Sequence, residues 1–326
     1  MSGAGLQKEG RTLESDMVFK AIALAAAALV LAILGLIALS MVSQAWPAFK
    51  DGGFDFITSK RWVPNDPDGP DGPLGPQFGG LAFLYGTVVT SLIALVLAVP
   101  VSLGIALFTT EVVRPRLRSA VVTVIDLLAA IPSVVYGLWG IAVLAPNIVT
   151  VYDSVADAVA SVPGLSTVFG QGGTGRSFMT AGVILAIMIT PIITSVAREV
   201  ISTVPDGEKA AALALGATRW EMVRGAVLPH SFGGIVGAVM LGLGRAMGET
   251  IAVALVIGSS TQIVGNLFKS GNAIPAVIAN SFGESSGTYR AALIGLGVIL
   301  FAMTIVVNVS ARIVVRRAEL RLRGAA

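Results

Sequence analysis

The stretch VPDGEKAAALALGATRWEMVRGAVLPHSFGGIVGAVMLGLGRAMGETIA, Val204–Ala252, joins two kinds of segment that rarely adjoin. Pro205 to Pro229 is polar, charged and helical in pattern. Phe232 to Ile257 is apolar enough to cross a bilayer, yet it holds Arg245 and Glu249. The first half reads as a handle for a soluble partner, and the second as a site within the membrane. In the handle, Pro205 suits a first helical turn, where its missing N–H has no partner anyway. Ala210 to Leu215 continues that helix at low entropic cost, and Gly216 supplies the left-handed residue that stops it. Thr218-Arg219-Trp220-Glu221 has the pattern of a capping box: the Thr218 hydroxyl accepts from the Glu221 amide, and the glutamate reaches back to the Thr218 amide. A second short helix is expected to end at Pro229.

The rest of the chain sets the medium. With 55% hydrophobic and 13% charged residues and a mean hydropathy of +0.84, it reads as one all-α polytopic membrane domain rather than two soluble ones. There is no cysteine, which excludes disulfides and thiolate metal sites. The single histidine, His230, builds no His-cluster metal site. Apolar runs at Met17–Val42, Phe83–Phe108, Ala120–Leu144, Phe178–Val196, Gly233–Ile257 and Ala291–Ile313 predict six transmembrane helices, each long enough to span at about 1.5 Å per residue. A cleaved signal peptide is the rival reading of the first run, since Ser43-Gln44-Ala45 resembles a cleavage position. Its apolar core exceeds the usual signal core of about 7–15 residues, so retention is expected.

The organisation expected is an N-terminal tail over 1–16, a first helix within 17–45, an extracytoplasmic loop over 46–80, a transmembrane domain over 81–315 and a basic tail over 316–326. The first loop carries PNDPDGPDGPLGP, a run of turn formers. A second outer loop, 146–176, holds an amphipathic piece at Tyr152–Val162, and a third holds a re-entrant or surface helix at Ala273–Phe282. Most of the 22 basic residues, among them Lys8, Arg11, Arg114, Arg116, Arg118, Lys209, Arg219, Arg224, Arg312 and Arg316, fall on the side of the termini and the handle. The positive-inside rule then puts both termini and the handle in the cytoplasm. The handle faces ATP, but the chain has no G-x-x-x-x-G-K-S/T phosphate loop. It binds no cofactor of its own, and ATP must be used by a separate polypeptide.

At this point a resemblance enters. Ala211, Ala212, Gly216, Leu228 and Pro229 match the cytoplasmic loop motif of binding-protein-dependent ABC importer permeases, so 204–230 is similar to their coupling loop. The chain departs from the motif at Ala210, where Glu is usual, and at Ala226, where Ile is usual; Glu208 lies two positions early. A soluble DNA-binding helix-turn-helix is the alternative, and flanking membrane spans with an Ala/Leu face oppose it. Tyr85–Leu107, LAAIPSVVYGLWG (Leu128–Gly140) and GLGRAMGETIAV (Gly242–Val253) resemble the phosphate-specific subgroup, its PstC branch more than its PstA branch. The resemblance implies a type I ABC importer permease fold in the inner membrane of a prokaryote. It also implies a PstA-like sister permease, two cytoplasmic ABC ATPase subunits and an extracytoplasmic phosphate-binding protein. Composition implies none of these.

Six residues form the expected substrate pathway. Arg near the centre of a span costs roughly 2.5–3.5 kcal/mol, so Arg245 is expected to face a cavity or a partner. Glu249, one turn on, pairs with it, either merely neutralising it or holding its planar fork of donors for an oxyanion. Gly244 and Gly248 leave room beside it. Asp126, inside the third span, reads mainly as a buried structural carboxylate, and Ser133, after Pro132, as satisfying a kinked backbone; a relay or ligand role is the second reading of each. Glu208, Ala211, Ala212, Gly216, Thr218, Trp220, Glu221, Leu228 and Pro229 form the expected ATPase-coupling loop, with Trp220 an anchor on the ATPase or the bilayer. A membrane enzyme would need a nucleophile–His or carboxylate–His set, which the spans lack. A non-transporting assembly subunit would not need Arg245 and Glu249. A permease for inorganic phosphate accounts for all these features, and one for another oxyanion of the sulfate or molybdate type is the alternative. No nucleic acid is expected as a partner.

Overall fold

Backbone amides and carbonyls find no water in hydrocarbon, so a chain this apolar must close them within helices. The computed structural model, which describes residues 3–64 and 77–324, follows that rule. In order come α1 (Gly3–Gly52), α2 (Asp55–Thr58), a hairpin of β1 (Trp62–Val63) and β2 (Gln77–Phe78), α3 (Leu81–Leu107) and a π turn (Phe108–Val112). Then follow α4 (Pro115–Ala129), α5 (Ser133–Trp139), a π turn (Gly140–Leu144), α6 (Ala145–Val159), α7 (Leu165–Val168) and α8 (Phe178–Ser202). The last part holds α9 (Asp206–Ala214), α10 (Arg219–Met222), a π turn (Val223–Val227), α11 (Leu228–Gly248), α12 (Ile251–Val256), α13 (Ile274–Ser281) and α14 (Gly287–Gly324). Apart from Pro64, the turn-rich run PNDPDGPDGPLGP lies outside the described residues.

Among the described residues six helical runs are long and apolar enough to cross a membrane, the number expected: Met17–Gly52, Leu81–Val112, Ser133–Val159, Phe178–Ser202, Arg219–Gly248 and Gly287–Arg317. The backbone of 3–16 continues α1, and that of 318–324 continues α14, so neither expected tail is separated from its span.

Two runs lie elsewhere than expected. The third crossing is Ser133–Val159, not Ala120–Leu144. Pro132 bars Ile131 from the helical region, so α4 ends at Ala129 and a new helix starts at Ser133. The Tyr136 hydroxyl donates to the Leu128 carbonyl across the break, 3.0 Å. Asp126 consequently lies exposed on α4, outside the crossing helix, and is not the buried carboxylate expected. Tyr152–Val159 belongs to the outer end of the crossing, not to a loop helix.

In the fifth crossing, Pro229 does not end a helix; it sits in the first turn of α11. The preceding π turn, closed by the Leu228 amide on the Val223 carbonyl, widens the ladder where the proline ring would clash with an ordinary turn. At the far end α11 stops at Gly248, with Glu249 extended (φ −71°, ψ 127°) before α12 begins.

The core forms around α8, whose Ile184, Leu185, Ile189, Ile193 and Ile201 are buried; a helix apolar all round belongs inside. It packs on small residues of α3, namely Ala94, Ala98 and Ala106, as helices without a hydrophobic drive between them do in lipid. Gly242 of α11 is a packing residue here, since a Cβ on it would lie 2.6 Å from Ile193. Ile274 to Val277 of α13 are buried, with the Ile274 amide donating to Thr87 Oγ1, 2.9 Å. The helix expected at Ala273–Phe282 is therefore tucked into the protein, not laid on the surface.

Orientation is testable because the chain has no native cysteine. Single cysteines at the exposed Ser154 and Ser286 should react with an impermeant thiol reagent applied to intact cells, whereas cysteines at the exposed Ser119 and Thr218 should react only in inverted vesicles. Labelling of Thr218→Cys from outside would reverse the topology.

Candidate functional site

The handle has the local structure its residues dictate. Gly216 has φ +87°, and the Gly216 amide donates to Leu213 (3.0 Å) and the Ala217 amide to Ala212 (3.2 Å). Those two bonds are the Schellman pattern, which satisfies carbonyls that the end of α9 leaves free. The capping box at Thr218 is complete: the Glu221 amide donates to Thr218 Oγ1 (3.3 Å) and the Thr218 amide to Glu221 Oε2 (2.7 Å). The Thr218 amide, and next its hydroxyl, hold the Glu221 carboxyl below its ordinary value. This stabilisation is complete above the ordinary carboxylate range and is lost as pH falls through the lowered one.

The handle turns apolar side chains outward. Leu215 is 89% exposed and Trp220 64%, with Leu213 beside them. Ala211 is exposed, while Ala212 and Leu228 pack against the core and Pro229 is half-buried. Glu208, the displaced acidic residue, contacts its own chain: its Oε2 lies 3.1 Å from His230 Nδ1 in the first turn of α11.

Two residues that sequence reading passed over complete the attachment. Lys209 Nζ donates to Glu111 Oε1 at 2.7 Å, with both side chains largely buried. This pair ties α9 to the π turn that follows α3. The available signal was Glu111 itself, the carboxylate that closes an apolar run beginning at Leu81.

The second part of the site is the break after α11. Arg245 lies in the last turn of α11. There the negative end of the helix dipole favours a cation. Arg245 Nη2 lies 3.6 Å from Glu249 Oε2; the arginine side chain is 46% exposed and the glutamate 7%. At that distance the pair is Coulombic without a close hydrogen bond, which leaves the guanidinium donors uncommitted. Among the described residues nothing beyond the helix's own backbone and the chain neighbours lies within 4 Å of where a Cβ on Gly244 or Gly248 would stand, so both flank Arg245 with open space. Arg245 also lines a groove of about 830 Å³ between α11 and α14.

Ser133 is the first residue of α5, and Asp126 lies apart from it, exposed on α4. A Cβ on Gly137 would meet Ala252 and Leu255, and one on Gly140 would meet Val256. Helices α5 and α12 therefore run parallel in close contact. Among the described residues no group of three or more His, Cys, Asp or Glu is arranged to hold a metal ion.

A family model, the binding-protein-dependent transport system inner membrane component, matches residues 98–323. Similar proteins include the phosphate transport system permease protein PstC of Mesorhizobium japonicum, 42% identical over 309 residues, 94% of this chain and 92% of that one. The protein of the same name from Xylella fastidiosa (strain Temecula1) is 44% identical over 309 residues, again 94% of this chain and 92% of that one. Among solved structures, a bacterial ABC transporter involved in the import of the acidic polysaccharide alginate matches with a TM-score of 0.60 at 19% identity. The match covers 95% of this chain and 99% of that one, and at such identity it concerns the fold alone.

If the Lys209–Glu111 pair holds α9 against the bundle, Glu111→Gln should free it. In inverted vesicles, trypsin should then cut after Lys209 faster than in the parent protein, with membrane insertion unchanged. Equal cleavage rates would assign the attachment to the apolar contacts of α9 alone.

Proposed function

The chain belongs to the binding-protein-dependent transport system inner membrane component family, and from that premise we propose that it is the permease subunit of an ATP-driven importer of inorganic phosphate. It has the type I importer permease fold and is a transporter subunit, not an enzyme. Hydrolysis of ATP belongs to a partner subunit. The observation that carries the reading is the loosely held Arg245–Glu249 pair at a helix break on an open groove. A planar guanidinium with uncommitted donors suits a tetrahedral oxyanion, and irregular backbone at membrane depth is tolerated where it lines a cavity. Identity with phosphate permeases over nearly the whole chain supports phosphate over sulfate or molybdate.

In this reading Arg245 offers its donors to the passing anion, and Glu249 takes the guanidinium back as the cavity changes. Gly244 and Gly248 keep the approach open, and Ser133, at the start of the helix packed against α12, adds a hydroxyl to the pathway. The handle, with Leu213, Leu215 and Trp220 outward, docks on one of two cytoplasmic ATPase subunits. A PstA-like sister permease supplies the other half of the pathway, and a phosphate-binding protein delivers the substrate from outside. Both termini lie in the cytoplasm.

Arg245→Lys keeps the charge and loses the fork, whereas Arg245→Gln loses both. Both should assemble, and Arg245→Gln should lower phosphate uptake by about tenfold or more, Lys less. The decisive comparison is the double variant Arg245→Gln/Glu249→Gln: restored transport would show the pair to be structural. A separate expectation concerns Gly216→Val, which forces a β-branched residue into a left-handed conformation. It should insert normally and lose ATPase association or substrate-stimulated hydrolysis; full coupled uptake would remove the handle from the docking surface.

A further inference from the structure

The groove that Arg245 enters does not end there. Its α11 wall runs from Gly233 to Arg245, about 18 Å at about 1.5 Å per residue. Its α14 wall carries Asn308, Arg312 and Arg316. The two helices are antiparallel, so Arg312 and Arg316 lie on the cytoplasmic side of Arg245 along one continuous trough. Its lining holds no acidic residue. Arg312 and Arg316 are exposed and have no carboxylate within ion-pair distance among the described residues.

That arrangement is unfavourable by itself. Like charges four residues apart on a helix repel, and among the described residues no carboxylate is paired with them. An anion between the two guanidinium groups would turn the repulsion into a pair of charge-assisted contacts. The opposite wall is kept low at a further cost. A Cβ on Gly237 or Gly244 would meet nothing within 4 Å, so no packing in this chain requires these helix-weakening glycines. The mouth of the trough is thus wide, basic and free of side chains that would compete for an oxyanion.

We infer that Arg312 and Arg316 form a second oxyanion station on the groove between α11 and α14, which receives phosphate after Arg245 and passes it to the cytoplasm. The inference rests on the phosphate-importer reading. The first station has a carboxylate beside it to reclaim its arginine; among the described residues the second has none. Release from the second station therefore depends on hydration and on the concentration of cytoplasmic salt.

The test uses the complete complex in proteoliposomes, supplied with its binding protein and inorganic phosphate. Arg312→Gln and Arg316→Gln should each slow uptake, and the double variant should lower it by about tenfold, with the partner subunits still copurifying. Arg312→Cys should be slow, recover when an aminoethyl thiosulfonate restores a cation, and stay slow with a sulfonatoethyl reagent. The cysteine-free parent chain makes that comparison specific. The defect should be the same in vesicles of phosphatidylcholine alone and in vesicles that include phosphatidylglycerol. A defect confined to the anionic vesicles would assign the two arginines to a lipid headgroup and overturn the inference. Loss of a partner subunit from the variants would overturn it in favour of a subunit contact, and unchanged uptake in favour of interfacial anchoring. A parent complex that carries no phosphate would instead overturn the importer reading itself.

Discussion

A helix that stops within a membrane protein leaves its last four carbonyls without intrahelical partners, and hydrocarbon supplies none. The end of α11 is built on that constraint. Gly248 is the last helical residue, Glu249 turns extended, and Arg245 stands in the final turn, where a cation complements the free carbonyls. The arginine therefore serves the helix terminus before it serves any ligand, and its partner follows directly because the chain has just left the helix. The break at Ala130–Pro132 is handled by the same means, with the Tyr136 hydroxyl satisfying the Leu128 carbonyl. Gly137 and Gly140 then let α5 lie against α12. The helices that follow the two irregular segments thus pack against each other.

The handle is held to the bundle rather than suspended from it. Lys209–Glu111 fastens α9 to the end of α3, and Glu208–His230 fastens it to the start of α11. Of these, the first is largely buried and the second exposed, so the first contributes more rigidity; exposed pairs are typically worth about 0–1 kcal/mol. A force on Trp220 or Leu215 is consequently delivered to two spans at once. One of them, α11, runs without interruption from the handle through a π turn to Arg245. This gives a continuous link between the face proposed to meet the ATPase and the residue proposed to meet phosphate.

How much was legible beforehand differs by residue. The Schellman end at Gly216 and the capping box at Thr218 depend on near neighbours in the chain, and both formed as the residues specified. The pairing of Arg245 with Glu249 followed from four-residue spacing, although the helix that justified the spacing ends one residue before the glutamate. Asp126 was misplaced because apolar content continues smoothly across Pro132, and hydropathy does not register which side of a break begins the crossing. Pro229 was misjudged for the converse reason: a proline breaks an α turn, but a π turn before it removes the clash.

The amino-acid sequence by itself determined the medium, the number of crossings and the local chemistry of the handle, and its charge placement set the side expected to face the cytoplasm. Each of these follows from transfer free energy, charge count or contacts within a few residues. Only the tertiary structure decided where the third crossing begins, that Lys209 pairs with Glu111, that α5 lies against α12, and that Arg312 and Arg316 share a trough with Arg245. Those facts join residues far apart in the chain, and they depend on helix register and small-residue packing between spans. No local pattern encodes that register, because in lipid every apolar face is equally content until another helix fits it.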